Sequence, residues 1–311
     1  MERVLITGGA GFIGSNLVDY LLGRTDWDIR VFDNLSSGDF DRVKSLKNFD
    51  GGRVEFFEGD ITDEDQVMDG VDGCDYVVNL AAQVGVMPSI EDPFNDAEIN
   101  VFGVLNLLEA SRKLDVNHFI HGSSAAPLGE TEMPIHEKRL PQPLSPYGAS
   151  KLSGEAYCSA YTGSYNLNTT ALRFSNVYGP HSIHKQSVVH LFIKQILNNQ
   201  QITIYGDGEQ TRDYIHVKDI AQGIHKTIKN IEQGYNLIQL GTEKETTVNQ
   251  LYKKIKQIFQ EKNHETPTPK HKKPRQGEIQ KNYTSIKKAK QTINYKPQIN
   301  LKKGLKNTIK W

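Results

Sequence analysis

Cysteine is nearly absent from the 311-residue chain, which has only Cys74 and Cys158. Two thiols so far apart give neither a disulfide framework nor a metal-ligand spacing. No run approaches the ~18 apolar residues that a membrane span needs. The candidate stretch, residues 76–90, is uncharged but is broken by Asn79, Gln83 and Pro88. The opening, Met1-Glu2-Arg3-Val4, enters an apolar run at once. It has no charged n-region or small-residue cleavage site. Disorder is also excluded, because 37% of the residues are hydrophobic and 9% are aromatic. The expectation is a soluble, reduced, cytoplasmic protein with no membrane partner. The length suits one large or two small domains with a sizeable core.

Net charge is lacking too, since 37 basic side chains balance 37 acidic ones. The balance conceals a split. Residues 1–250 carry 20 basic and 34 acidic side chains, a net −14; residues 251–311 carry 17 and 3, a net +14.

The chain opens with a β-rich run, Val4-Leu5-Ile6, then Thr7-Gly8-Gly9-Ala10-Gly11-Phe12-Ile13-Gly14. Leu17, Val18, Leu21 and Leu22 follow at helical spacing. Residues 28–33 read as a second strand, which makes one βαβ unit. Residues 54–58, 75–80, 118–121 and 169–173 read as further strands, and 100–112 and 147–161 as helices. Strands alternating with helices imply a doubly wound α/β fold of Rossmann type, with a parallel sheet covered on both faces. After Gly179-Pro180 the pattern loosens. Helices are expected over 188–197 and 248–259, a strand over 202–205, and a proline-interrupted loop over 261–275. The division expected is 1–180, mainly a dinucleotide-binding domain, and 181–311, mainly a smaller α/β substrate-binding part, with some crossing between them. There is no internal repeat.

A glycine turn between a strand and a helix lets backbone approach a pyrophosphate and aims helix N–H groups at it. Gly8, Gly11 and Gly14 have the spacing GxxGxxG, one residue wider than the usual fingerprint, in the strand–turn–helix context that confirms such motifs. Asp33 ends the second strand about 20 residues on, where a carboxylate bonds a ribose 2′-hydroxyl and repels a 2′-phosphate. NAD is therefore favoured over NADP. Asp60 ends the third strand, where an Asp serves either the adenine amino group or a helix cap. In Tyr147-Gly148-Ala149-Ser150-Lys151, Tyr147 and Lys151 share one helix face. A cation beside a phenol favours the phenolate, so the Tyr147 pKa is expected to fall from ~10. Tyr147 then suits a general base for a sugar hydroxyl. Ser123 and Ser124 follow the strand that ends at His121, and a hydroxyl there is placed to relay the proton or orient the substrate oxygen.

With these residues assembled, the chain resembles the extended short-chain dehydrogenase/reductases. More specifically it resembles the NAD-dependent sugar-nucleotide epimerase/dehydratase family and, within it, the UDP-glucose 4-epimerases. The segments that carry the resemblance are TGGAGFIG from Thr7, DNLSSG from Asp33, GDITD from Gly59, NLAAQVGV from Asn79, SSAAPLGE from Ser123, YGASK from Tyr147, LRFSNVYGP from Leu172, IYGDGEQTRDYIHVKD from Ile204 and RQGE from Arg275. The resemblance implies that Gly8, Gly11, Phe12 and Ile13 hold the pyrophosphate. It implies Asp33 and Asn34 on the adenosine ribose, Asp60 and Ile61 on adenine, and Leu80, Ala81 and Ala82 along the cofactor channel. Tyr147 is implied as base and acid, Ser124 as its assistant and Lys151 on the nicotinamide ribose. Asn176, Arg212 and Arg275 are implied at the substrate diphosphate, Thr203 and Tyr205 beside the uracil, and Asn282 as the residue that sizes the sugar pocket. A homodimer, paired through residues 100–112 and 147–161, is implied as well.

The implied reaction is NAD-dependent 4-epimerisation of a UDP-hexose through a 4-keto sugar. Family dehydratases carry an Asp-Glu pair after the catalytic hydroxyl, and decarboxylases keep a Glu. Here Ala125 and Ala126 stand there, and neither moves a proton. A 4,6-dehydratase, a UDP-glucuronate epimerase and an NAD-sensing scaffold are the alternatives. Pro127-Leu128-Gly129 departs from the family's usual Val-Tyr-Gly. His181, His184 and His190 bring no carboxylate or cysteine cluster, so no metal is expected. The lysine-rich tail reads first as a solvated face and second as a steering field for a nucleotide diphosphate. Nucleic acid comes third, for lack of stacking motifs or a base-reading helix.

Overall fold

The computed structural model describes residues 2–49, 52–182, 187–230, 232–274 and 279–311. Its strands in chain order are β1 (Arg3–Thr7), β2 (Asp28–Asp33), β3 (Val54–Glu58), β4 (Tyr76–Asn79), β5 (His118–Ser124), β6 (Thr169–Phe174), β7 (Asn176–Tyr178), β8 (Thr203–Tyr205), β9 (Thr211–Arg212), β10 (Tyr214–His216), β11 (Tyr235–Leu240), β12 (Thr246–Thr247) and β13 (Lys270–Lys272). Seven of them form one parallel sheet in the order β3-β2-β1-β4-β5-β6-β11. Val4, Leu5 and Ile6 of β1 are wholly buried, and so is every residue of β6. Burial on both faces is why Val4-Leu5-Ile6 of β1 reads as an unbroken apolar run rather than an alternating one. The chain leaves β1 for β2 on one side and reaches β4 on the other. That reversal opens a crevice at the carboxyl ends of the strands, where doubly wound sheets bind ligands.

The helices that matter to the crevice are α1 (Phe12–Leu22), α2 (Phe40–Phe49), α3 (Glu64–Val71), α4 (Val86–Glu91), α5 (Pro93–Ala97), α6 (Gly103–Lys113) and α7 (Pro146–Tyr165). Ser145 caps α7 by accepting from the Gly148 N–H at 3.1 Å, Pro146 sits in its first turn, and Asn166 ends it in the left-handed conformation. Gly154 lets α7 lie close on β5: a Cβ there would stand 2.5 Å from the His121 Nε2. The helix expected over 100–112 is split. Residues Glu98–Phe102 form a π-turn, and α6 begins only at Gly103.

The remaining helices are α8 (Val188–Leu197), α9 (Val217–Asn230), α10 (Val248–Gln260), α11 (Lys287–Thr292) and α12 (Leu301–Lys310). The sheet draws on the far part of the chain. β11 is its edge strand, and α9 packs on α1. One apolar core joins Val4, Leu17 and Val31 to Ile215, Ile224, Ile238 and Ile293. A separate core around Tyr178, Phe192, Ile255, Phe259 and Leu305 holds α8, α10 and α12 together. The loop expected over 261–275 contains β13, which pairs in parallel with β8. All three of its side chains are exposed, so no periodicity in the sequence marks it. Among the described residues no helix is long and apolar enough to cross a membrane.

Two buried histidines give the fold a pH dependence. His118, on β5, is 5% exposed with Nε2 2.9 Å from the Thr170 hydroxyl, and His216 is 0% exposed. Burial pushes each from 6.5 down to about 4, with Lys218 adding to the effect at His216. The folded chain keeps both rings neutral where the unfolded chain protonates them. Stability is therefore complete above about pH 6.5 and is lost as pH falls toward about 4, by roughly 3 kcal/mol per ring. Urea unfolding across that window should show the decline, and His118→Gln should flatten it.

Candidate active site

The glycine turn is built for close approach. Gly8 has φ +64°, and a Cβ there would lie 2.8 Å from the Ala81 N. A Cβ on Gly14 would lie 2.2 Å from the Gly8 carbonyl oxygen. Helix α1 starts at Gly11 with no side-chain cap and no acidic residue in its first turn. An uncapped N-terminus beside a turn without side chains suits a pyrophosphate. Phe12 and Ile13 form the first turn, half-buried. Asp33 ends β2 with Oδ2 accepting from the Ala10 N–H and Oδ1 from the Leu35 N–H, both at 2.9 Å. Burial raises its pKa, and these backbone donors oppose the rise. The carboxylate is thus fixed at the rim of the turn, where a ribose diol would meet it.

Asn34 and Asp60, assigned by the sequence to ribose and adenine, are bonded to each other: Asn34 Nδ2 donates to Asp60 Oδ2 at 2.7 Å. Asp60 does not cap α3; Asp63 does, through the Gln66 N–H. Burial would raise the Asp60 pKa, but the Thr62 N–H, the Asn34 amide and the Thr62 hydroxyl outweigh it and hold it low. Ile61 is buried beneath Gly103, where a Cβ would meet it at 2.6 Å. The Thr7 hydroxyl accepts from the N–H groups of Leu80 and Ala81, both at 3.2 Å, which lines the half-buried 80–82 segment along the turn.

Across the crevice, β5 ends at Ser124 and α7 begins at Pro146. The Ser124 hydroxyl accepts from the Ala126 N–H at 3.1 Å, and Tyr147 is half-buried. The expected fall in its pKa does not hold for the chain alone. Burial pushes the phenol up, Ser124 pulls it down, and Asp96 pushes it up again. Lys151 is only 4% exposed, and burial lowers it from 10.5 to about 8 against the opposing pull of Glu155, Asp96 and Cys158. Desolvation outweighs the neighbouring charge at both groups.

Asn176, Thr203, Tyr205 and Arg212 line one cleft of about 360 Å³ with Val188, Phe192 and Val248. Arg212 Nη1 donates to the carbonyls of Thr211 and Ile279 at 2.7 and 2.8 Å, and this sets its fork at the cleft wall. Asn282 is not on that lining. It is half-buried on the segment beyond Ile279, with Oδ1 buried and unpaired, beside Tyr283, whose N–H reaches the Met133 sulfur at 3.5 Å. Arg275 and His184 lie outside the described residues. His181 packs its ring 5.1 Å from that of Trp311. Leu128, which replaces the family's usual aromatic, is fully buried in a short turn, so that departure falls in packing.

Sequence reading missed three supports. Asn100, in the π-turn, bonds both the N–H and the carbonyl of Gln83 and donates to Asp96 Oδ1 at 2.9 Å and to the Ser150 hydroxyl at 3.3 Å. Arg173 of β6 grips Glu155 of α7 through Nε at 2.7 Å and Nη2 at 2.6 Å, and the Ser123 hydroxyl adds a third bond at 2.6 Å. Arg42 donates to the Gly11 carbonyl and the Ser15 hydroxyl at 3.2 and 3.0 Å, bracing the glycine turn from α2. The only signal for Glu155 was its place one helical turn after Lys151.

The fold and this crevice define a dinucleotide-binding α/β protein of Rossmann type, with Ser124, Tyr147 and Lys151 at the end of β5 and the start of α7. Comparison with known proteins narrows the class. Residues 4–241 match the model of the NAD dependent epimerase/dehydratase family. The chain is 38% identical over 99% of its length, and 97% of the relative's, to a putative UDP-glucose 4-epimerase of Methanocaldococcus jannaschii. The UDP-N-acetylglucosamine 4-epimerase of Methanobrevibacter ruminantium M1, solved with UDP-N-acetylmuramic acid, superposes with a TM-score of 0.92 at 32% identity, covering 100% of this chain and 97% of that one. The UDP-glucuronic acid 4-epimerase of Bacillus cereus, solved with UDP-glucuronic acid and NAD, gives 0.90 at 29% identity, covering 99% and 98%. The chain belongs to the NAD-dependent epimerase/dehydratase family, and the glycine cradle with Asp33 fits that cofactor.

Asp33 supplies the test of the cradle. Asp33→Ala removes a charged acceptor, so NAD binding should weaken about tenfold or more. Binding of the 2′-phosphorylated cofactor should weaken less or improve. Titration calorimetry with the two cofactors checks both directions.

Proposed function

We propose that the protein is a 4-epimerase of UDP-hexoses. It interconverts UDP-glucose and UDP-galactose, and the intermediate size of Asn282 admits the N-acetylated pair. The observation that carries this reading is that Ser124, at the end of β5, acts on the phenol of Tyr147, at the start of α7, and is followed by Ala125 and Ala126 where a dehydratase needs carboxylates. Asp96 is the buried carboxylate that acts on Tyr147, and it is engaged by Asn100.

NAD, when bound, serves as hydride acceptor and donor at the sugar C4. Ser124 orients the 4-hydroxyl, and Tyr147 takes its proton and later returns it. Lys151, the cation that the chain itself brings to Tyr147, holds the nicotinamide ribose. The 4-keto sugar turns over in the cleft and is reprotonated at O4 after reduction from its other face. Arg212 and Asn176 hold the diphosphate, with Arg275 as a further donor, and Thr203 and Tyr205 flank the uracil. Residues 1–180 thus serve mainly the cofactor and 181–311 mainly the substrate. The glucuronate series is the second reading, supported by the ligand of the Bacillus cereus neighbour.

Product analysis with UDP-glucose, UDP-N-acetylglucosamine and UDP-glucuronate in parallel decides among these. Conversion to the C4 epimer of the first two is expected. Tyr147→Phe should lose roughly 10²–10⁴-fold in turnover while still binding NAD. Binding of NAD with no turnover of any nucleotide sugar would instead support a sensor.

We also propose a homodimer. The apolar stripe of the 100–112 segment is mostly spent inside the chain, with Val104 and Leu108 buried. Next to it, however, Met87, Ile90, Phe94 and Phe102 stand 62, 54, 87 and 61% exposed. An apolar patch of this kind marks a contact surface. Light scattering should give a dimer for the wild type and a monomer for the double variant Phe94→Asp, Phe102→Asp.

A further inference from the structure

The lysines of the basic 251–311 stretch differ by their place in the fold. Lys302 and Lys306 of α12 both reach Glu261, at 3.2 and 2.7 Å, and Lys290 of α11 reaches Glu243. Those cations are matched on the surface. Lys270 and Lys272 of β13 are not. Both are exposed, and among the described residues neither makes an ion pair. Their position follows from the ladder. β13 runs parallel to β8, with Lys270 opposite Thr203 and Lys272 opposite Tyr205. The Lys270 N–H donates to the Ile202 carbonyl and the Gly206 N–H to the Lys272 carbonyl, both at 2.9 Å, so the register is held at both ends. Successive side chains of a strand point to opposite faces, and registered partners share a face. Ile204 is 1% exposed and belongs to the core of α8, α10 and α12. Thr203 and Tyr205 therefore turn the other way, into the cleft that Asn176 and Arg212 also line. Lys270 and Lys272 share that face, one strand further out, at the rim of the cleft. Among the described residues the cleft lining has no acidic side chain, and Arg212 is its charged group. Two acids follow β8, in the next turn. Glu209 accepts from the Asn249 amide of α10 at 2.7 Å, and the Asp207 carboxylate accepts from the Glu209 N–H at 3.0 Å, so both are engaged there.

We propose that Lys270 and Lys272 form a cationic rim that attracts the diphosphate of a UDP-sugar into this cleft. The inference rests on the reading of Thr203, Tyr205 and Arg212 as the nucleotide diphosphate site. The charge of the whole chain gives such a rim its use. Residues 1–250 carry 20 basic against 34 acidic side chains, so the large cofactor side repels a dianion. The compensating cations lie in residues 251–311, and β13 brings two of them to the cleft. A basic rim above low-dielectric walls focuses its field into the opening and gathers ligands of opposite sign. Lysine suits that task, because a hydrated point charge on a flexible stem attracts without fixing geometry. The planar fork of Arg212 supplies the fixed geometry below.

The test is titration calorimetry of UDP into the NAD-loaded protein at two ionic strengths, about 10 mM and about 1 M, where the screening length is ~30 and ~3 Å. The double variant Lys270→Gln, Lys272→Gln should bind UDP roughly three- to tenfold more weakly than wild type at low salt, and within about twofold of it at high salt. Lys270→Glu with Lys272→Glu should widen the low-salt gap. The pair Lys287→Gln, Lys303→Gln removes the same charge from α11 and α12, which do not line the cleft. It should stay within about twofold of wild type at both salts. Equal loss at both salts in the β13 variant means that the lysines shape the site rather than attract the ligand, and it overturns the proposal. No loss at low salt overturns it as well. So does an equal low-salt loss in the α11–α12 pair, since net charge alone would then be the cause. If UDP binds as expected and no UDP-sugar is turned over, the epimerase reading fails and the rim stands. A wild type that binds no UDP at either salt overturns both.

Discussion

Arg173 and Glu155 meet in the dry space between the sheet and α7, and the geometry of the crevice rests on that pair. Both are almost wholly buried, at 1 and 3% exposure, and joined by two short bonds. An ion pair taken from water gains little over an apolar pair of the same volume, yet losing one partner costs about 3–5 kcal/mol because a naked charge remains. What the pair secures here is position. Glu155 lies one helical turn from Lys151, Ser123 precedes Ser124, and Arg173 stands opposite Ser123 in the β5–β6 register. One network therefore fixes the roll of α7 and the end of β5 relative to each other. The phenol of Tyr147 and the hydroxyl of Ser124, which the proposed reaction would use together, come from those two elements.

Close packing completes what the ion pair begins. Gly154 brings α7 onto the His121 ring, and His121 in turn lies 3.3 Å from the Asn79 amide, which holds the Thr7 hydroxyl at 2.7 Å. This chain of contacts runs from α7 across β5 and β4 to the strand that enters the glycine turn. The cofactor cradle and the Tyr147 end of α7 are registered against one another through the core, so a change of a single methyl group along it is felt at both ends.

Much of this was legible in the sequence because it depends on local pattern. The glycines, Asp33 and the Tyr147–Lys151 spacing are short motifs whose chemistry follows from neighbours in the chain. The parallel sheet followed from strands alternating with helices. Asn100, Glu155 and Arg173 were not legible, since their partners lie across the fold and a lone polar residue carries no mark of its burial. The π-turn was hidden for a related reason: Val101, Val104, Leu105 and Leu108 have good helical spacing, and the extra residue enters the winding without disturbing it. The sense of the Tyr147 shift was misjudged because sequence shows the nearby cation and not the missing water.

The seventh strand has a bearing on how the molecule is made. β11 closes one edge of the sheet, and α9 covers α1, yet both are translated after β7–β10 of the substrate side. When residues 1–180 have left the ribosome, six of the seven strands of the central sheet have been made, with β6 bare along one edge and the face of α1 uncovered. The nascent protein passes through an interval in which its most sheet-prone backbone is available to other chains. The sheet of the cofactor half is complete only once β11 has been made. The two halves finish together, which joins the order of synthesis to the order of assembly in a way that a cleanly divided pair of domains would avoid.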